Sequence, residues 1–222
     1  NSSVIAAAIQ RIELSNLFPV TTSGSTYSIT VTGRDLNSNA NNSLGFNVSS
    51  SNTSISANTT AASPFTFNAV LSGNTTLTFQ AYGNFSATNN TNSSVLVGAI
   101  TNLRLSPLFP ATASGNTYVI TVTGVDINGN TNNTGGYNVS ISNSTVSTLA
   151  SNTSTAFTFN SLVIGNTSLT FLSLANVSAS NNTNASVTAG QPVRAEITPL
   201  FPVNTSGGLF TFTITGRDIN GN

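Results

Sequence analysis

The sequence predicts an all-β protein made of tandem β-sandwich domains, about seven strands each, with no disulfide. Three observations carry this. Leu17-Phe18-Pro19 returns as Leu108-Phe109-Pro110 and again as Leu200-Phe201-Pro202, so the chain repeats at a fixed step. Apolar residues alternate with polar ones at period two, and no stretch sustains a helical period. The alternating stretches are rich in β-branched and aromatic residues, which suit a pleated, half-buried surface.

The step is kept by other landmarks: Tyr27, Tyr118 and Phe210; Gly33, Gly124 and Gly216; Asp35, Asp126 and Asp218. Asn1-Ser2-Ser3-Val4 matches Asn92-Ser93-Ser94-Val95 and Asn184-Ala185-Ser186-Val187, which close a repeat. The expected organisation is therefore residues 1–9 as the last strand of a preceding (or donor-strand) domain, then domains at 10–98 and 99–191. Residues 192–222 are the first strands of a further domain. Each whole unit is large enough to bury its own core, which makes the chain beads on a string. A continuing polypeptide is expected at both ends, with completion by a neighbouring subunit's strand as the second possibility.

Within a unit, Ile12 to Leu14 reads as a short first strand, matched by Leu103 to Leu105. The Leu-Phe-Pro turn follows, where proline lacks a donor and ends pairing. Thr26 to Gly33 is the clearest strand: Tyr27, Ile29 and Val31 alternate with Ser28, Thr30 and Thr32. An Asn-rich loop runs from Arg34 to Gly45. Strands then follow around Phe46 and Val48, near Ile55, at Phe65 and Phe67, at Leu77 and Phe79, and at Val95 and Val97. Their counterparts are Tyr137 to Ile141, Val146, Phe157 with Phe159, Leu169 with Phe171, and Val187. About seven short strands in roughly 90 residues, separated by turn residues, is the pattern of an immunoglobulin-like sandwich. The Cys…Trp…Cys core of antibody domains is absent.

The segments Thr121-Val122-Thr123-Gly124-Val125-Asp126-Ile127-Asn128-Gly129-Asn130 and Thr213-Ile214-Thr215-Gly216-Arg217-Asp218-Ile219-Asn220-Gly221-Asn222 run a strand into an Asp-x-Asn-Gly-Asn turn. With Thr30 to Asn37 they resemble the tandem Ig-like repeats of bacterial and archaeal surface proteins. That resemblance implies domains of a cell-surface fibre or adhesin. The first copy departs from it, with Ser38 where the others carry Gly129 and Gly221.

Composition narrows the function. Asn, Ser and Thr contribute 33, 33 and 35 of 222 residues, but regular apolar alternation sets the chain apart from disordered polar sequence. Charge is sparse: five Arg, two Glu, three Asp, no Lys and no His. No basic face is available for nucleic acid or for an anionic membrane surface. No apolar run has the length of a membrane span. Without cysteine there is neither a disulfide nor a thiolate metal site.

The sequon Asn-x-Ser/Thr begins at Asn1, Asn41, Asn47, Asn52, Asn58, Asn74, Asn84, Asn89, Asn92, Asn132, Asn138, Asn143, Asn152, Asn166, Asn176, Asn181, Asn184 and Asn204. Ser and Thr are so common that the number alone says little. Their phase says more, since Asn41, Asn47 and Asn52 recur as Asn132, Asn138 and Asn143, and Asn74, Asn84, Asn89 and Asn92 as Asn166, Asn176, Asn181 and Asn184. These positions are expected in loops and on wet strand faces, where a covalent glycan has room.

Other chemistry finds little support. Asp126-x-Asn128-x-Asn130 looks like the opening of a calcium loop, but Tyr137 stands where the closing Glu belongs, and a self-bonded turn is the expected reading. No metal or cofactor site is expected. The usual catalytic bases and thiol nucleophiles are missing, and Glu13 and Glu196 have no counterpart between Asn102 and Ser106, so no enzyme is expected. The aromatic residues are expected mainly on buried faces, which leaves no sugar-binding platform.

The expected function is a structural repeat segment of an extracellular, N-glycosylated cell-surface filament or stalk. Its sandwiches serve as rigid spacers joined by short links around Gly98-Ala99 and Gly190-Gln191-Pro192. Its partners are neighbouring repeats or identical subunits, and covalent glycans. The alternative is an adhesin whose repeats bind a ligand. With five carboxylates and no His, few protons can bind between pH 7 and pH 2, so the fold is expected to persist in acid.

Overall fold

The computed structural model describes residues 7–222, and every regular element among them is a β-strand. The final-strand reading of residues 1–9, and the Asn1 sequon, fall mostly or wholly outside the described residues.

Two compact units divide the chain. One runs through Ala99 and takes in Val125–Asn132; the other comprises Ile100–Gly124 and Asn133–Asn222. In the first unit the strands are β1 (Arg11–Leu14), β2 (Val20–Thr22), β3 (Thr26–Ile29), β4 (Val31–Arg34) and β5 (Phe46–Ser50). They continue as β6 (Ser56–Asn58), β7 (Phe65–Ala69), β8 (Gly73–Ala81) and β9 (Asn84–Leu96). One sheet has the order β2-β9-β8-β5; the facing layer is formed by β3-β7-β6 and β1-β4. The second unit holds β10 (Asn102–Ser106), β11 (Ala111–Ala113), β12 (Thr117–Val125), β13 (Tyr137–Ile141), β14 (Ser147–Asn152), β15 (Ala156–Ser161), β16 (Gly165–Ser173) and β17 (Ser180–Thr188). Its sheets are β11-β17-β16-β13 and β10-β12-β15-β14. The third repeat contributes the antiparallel pair β18 (Arg194–Thr198) and β19 (Thr213–Arg217).

The period-two residues fill the cores. Ile29, Val31, Phe65, Phe67, Leu77 and Phe79 are buried in the first unit; Ile120, Val122, Phe157, Phe159, Leu169 and Phe171 replace them in the second. Tyr27 stacks on Phe67 with ring centroids 5.2 Å apart, and Tyr118 on Phe159 at 5.1 Å. Each tyrosine is amphipathic, so its hydroxyl needs a partner inside. Ser56 supplies it at 2.7 Å and Ser147 at 3.0 Å.

Three local expectations are corrected. The strand expected unbroken over Thr26 to Gly33 is interrupted at Thr30. In the second copy the Val122 N–H continues the ladder by donating to the Thr155 carbonyl, whereas the Val31 N–H donates to the Ser63 side chain. The Leu-Phe-Pro turn does not end pairing: β2 and β11 follow it and pair in parallel with β9 and β17. Finally, β9 starts at Asn84, far earlier than Val95. Its inward positions are Ala87, Thr91, Ser93 and Val95, whose mostly small or polar side chains conceal the alternation.

Candidate docking loop and sequon asparagines

The most elaborate polar construction in the first unit centres on Asp126, only 3% exposed. Its Oδ1 accepts the N–H groups of Asn128 and Asn130, both at 2.9 Å, which closes an Asx-type turn on itself. Gly129 sits in that turn at φ 84°. The Asp126 Oδ2 accepts the Gly98 N–H at 2.9 Å. The Asn132 Nδ2 donates to the Gly98 carbonyl at 2.7 Å, so this one linker residue is held on both sides.

Asn130 carries the loop further into the unit. Its Nδ2 lies 2.8 Å from the Ser23 hydroxyl and 3.0 Å from the Val70 carbonyl, while its Oδ1 accepts the Ser72 N–H at 3.0 Å. Asn128 Nδ2 reaches the same Ser23 hydroxyl at 2.7 Å. Repeat phase assigns these residues to the second copy, yet they pack within the first unit.

The arrangement recurs in the second unit. Asp218 accepts N–H groups from Asn220, Asn222 and Gly190 at 3.0, 2.9 and 2.9 Å. Asn222 Nδ2 reaches the Ser114 hydroxyl and the Leu162 carbonyl at 2.8 and 2.9 Å. The first copy keeps the inner part: Asp35 accepts from Asn37, Asn39 and Ala7, and Asn41 Nδ2 donates to the Ala7 carbonyl.

Electrostatics follow the geometry. Burial pushes the Asp126 carboxyl up, but donation from Asn130 and Gly98 outweighs it and brings the pKa to about 2. Asp218 is held well below the usual carboxylate range, with burial again outweighed by donors led by the Gly190 N–H. N–H donors converge on each carboxylate, the surroundings of a turn rather than of a cation, which needs converging oxygens. No group of three or more His, Cys, Asp or Glu side chains placed to hold a metal occurs among the described residues. Glu13 lies between Arg34 and Arg11 at 2.8 and 3.0 Å, and Glu196 between Arg217 and Arg194 at 2.9 and 3.2 Å; both are partly exposed surface triads.

The sequon asparagines fall into two sets. Asn41, Asn84, Asn89, Asn132, Asn176 and Asn181 are half-buried. Each donates its Nδ2 to a backbone carbonyl: Asn84 to Ile9, Asn89 to Ile12, Asn176 to Ile100 and Asn181 to Leu103, at 2.7 to 2.8 Å. Asn84, Asn89 and Asn181 pin the first strand of each unit, or its approach, to the last, and Asn176 does so from the turn before the last strand. The other sequons are exposed: Asn47, Asn52, Asn58, Asn74, Asn92, Asn138, Asn143, Asn152, Asn166, Asn184 and Asn204. Asn47, Asn74 and Asn92, with Asn138, Asn166 and Asn184, occupy the outward positions of the four-stranded sheets that contain β8 and β16. Sequence reasoning did not separate the sets, because the receiving carbonyls lie 34 residues away for Asn41 and Asn132 and 75 to 78 residues away for the other four.

Most of the aromatic residues are buried, as expected, but the turn phenylalanines are not. Phe18 and Phe109, in the Leu-Phe-Pro turns, are 65% and 69% exposed.

These features define a tandem of Ig-like sandwiches, and the comparisons agree. Residues 7–55 and 98–137 match the family model of the bacterial Ig-like domain (group 3). The Escherichia coli adhesin FdeC matches with a TM-score of 0.58 and 18% identity over 99% of this chain and 77% of that one. The surface layer protein SbsC, domains 1–6, matches with a TM-score of 0.43 and 18% identity over 98% of this chain. The chain spans about a third of that SbsC structure. No curated protein matches in sequence. In sequence pattern and fold the chain thus resembles the tandem bacterial Ig-like repeats of surface proteins. No helix among the described residues is long and apolar enough to cross a membrane.

Proposed function

We propose that this chain is a structural segment of an extracellular, N-glycosylated cell-surface filament or stalk, in which each sandwich is a stiff spacer. The observation that carries the reading is the double hold on Gly98, whose N–H and C=O are taken by Asp126 and Asn132. A residue whose N–H and C=O are both bonded has little backbone freedom of its own left. Repetition of the Asp clamp at Gly190 supports a device that can be propagated along an array. The exposed sequons support a glycan coat, which would also cover sheet faces and edges.

The absence of cysteine allows a direct test. Spin labels introduced by Thr78→Cys and Thr170→Cys, both on exposed strand positions, report the spread of distances between the two units. A narrow distribution that broadens in Asp126→Ala supports the spacer. A broad distribution in the otherwise unaltered chain would refute it.

A further inference from the structure

The first two of the three Leu-Phe-Pro turns build the same groove twice. In the first unit, Phe18 and Pro19 stand over Asn74, Thr76, Asn92 and Ser94, bounding a groove of about 440 Å³. In the second, Phe109 and Pro110 stand over Asn166, Ser168, Asn184 and Ser186, bounding about 420 Å³. Each phenylalanine has φ 56°, a left-handed conformation that a bulky side chain adopts only under constraint.

The constraint is visible. The Phe18 N–H donates to Thr91 Oγ1 at 2.8 Å, and the Phe109 N–H to Thr183 Oγ1 at 2.9 Å. The Pro19 and Pro110 carbonyls each accept a strand N–H, from Ser94 and Ser186, at 2.9 Å. Strain of this kind persists only where the surrounding structure holds it in place. Here it holds an apolar ring out in water beside a row of amides and hydroxyls, twice at equivalent positions.

Such a surface suits a pyranose, whose C–H face packs on an aromatic ring while its hydroxyls meet amides and hydroxyls. The source of the sugar is in the floor. Asn92 and Asn184 are exposed sequon residues, and parallel pairing of Val20 with Ser94 brings Asn92 level with Phe18. The Asn92 Oδ1 accepts the Thr76 hydroxyl at 3.0 Å, and the Asn184 Oδ1 accepts the Ser168 hydroxyl at 2.7 Å. That fixes each amide plane and leaves Nδ2 outward.

We propose that Asn92 and Asn184 carry N-linked glycans whose first pyranose lies against Phe18 and Phe109. In forming the linkage, Nδ2 bonds to C1 of an activated sugar phosphate donor. The C1–O bond breaks with its electrons leaving on the phosphate, and the amide gives up one of its two protons. This rests on the glycoprotein reading above, and the test separates the two.

The full chain is secreted from a host that N-glycosylates, its glycopeptides are mapped by mass spectrometry, and the sugar protons are observed by NMR. The expected result is occupancy at Asn92 and Asn184, with upfield ring-current shifts of the first sugar that vanish at Asn92 in Phe18→Ala. Phe18→Leu, which keeps apolar bulk without a ring, guards against misfolding of the alanine variant and should also abolish them. Occupied sites with no shift overturn the stacking and leave the glycoprotein reading intact. Empty sites at both positions overturn the proposal, and empty sites throughout overturn that reading too. A free oligosaccharide that binds the unglycosylated chain through Phe18, while the attached sugars show no shift, makes the groove a receptor for another molecule's glycan and overturns the assignment to its own.

Discussion

Asp126 accepts the N–H of Gly98, 28 residues earlier, at 2.9 Å. The same spacing joins Asp218 to Gly190 at 2.9 Å and Asp35 to Ala7 at 3.1 Å. A carboxylate at the end of a strand thus reads the linker that precedes that strand's own repeat. Closeness makes demands on the linker. A Cβ on Gly98 would lie 2.8 Å from the Ser23 carbonyl oxygen, and one on Gly190 would lie 2.5 Å from that of Ser114.

Gly98→Ala should therefore push the loop off its seat. A crowded insertion of this kind costs about 1–3 kcal/mol. Urea unfolding of the first unit should show a lower midpoint with an unchanged slope. A shift within error would mean that the clamp contributes nothing to stability.

Asn130→Ala strips donors and an acceptor from Ser23, Val70, Ser72 and Asp126 at once, in a site 8% exposed. Leaving buried polar groups unpaired costs about 1–3 kcal/mol. Asn39 is its exposed counterpart and bonds mainly within its own loop, so Asn39→Ala should cost less. Equal losses in differential scanning calorimetry would contradict the docking role of Asn130.

Ser38 holds φ 66° where the later copies place Gly129 and Gly221, both at 84°. The left-handed region disfavours a residue with a Cβ by about 1–2 kcal/mol, and glycine's extra freedom when unfolded takes back about 0.4–1. Ser38→Gly should be neutral to stabilising by about 1 kcal/mol. Any clear fall in the melting temperature would count against a strained loop.

All five carboxylates sit below their ordinary pKa. Glu13 is lowered first by Arg34, Glu196 by Arg217, and Asp35 by Asn39; in Asp126 and Asp218 hydrogen bonds overcome burial. A depressed folded pKa means that the unfolded chain binds the proton more tightly. The stability is complete above the unfolded values, near pH 4, and is lost as pH falls through the folded ones. For Asp126, lowered from 3.8 to about 2, this amounts to about 2 kcal/mol. The melting temperature should be flat from pH 7 to pH 5 and decline between pH 4 and pH 2, less steeply in Asp126→Asn. A decline already complete by pH 5 would contradict these assignments. Acid persistence thus has a floor, set largely by the Asp loops.

The two sets of sequons should respond differently to substitution. Asn181→Asp replaces a donor to the Leu103 carbonyl with an acceptor, at a cost of about 1–3 kcal/mol. Asn166→Asp, exposed on a strand, should stay within about 0.5 kcal/mol. Thermal melts of the unglycosylated chain decide it, and a neutral Asn181→Asp would show that the pin is dispensable.

The sequence by itself determined the repeat, the sandwich class and most of the core. Burial imposes a two-residue alternation that is visible locally at Tyr27, Ile29 and Val31, and again at Phe65 and Phe67. It could not show β9 starting at Asn84, since Ala87, Thr91 and Ser93 meet the interior with small or polar groups that look like any loop. Only the tertiary structure separated Asn181, bonded to Leu103, from Asn166, open to water, although both are Asn-x-Thr/Ser. It alone placed Asn130 against Ser23, 107 residues away. Hydrogen bonds over such separations depend on where the folded backbone brings a carbonyl or hydroxyl, and local pattern carries no record of that.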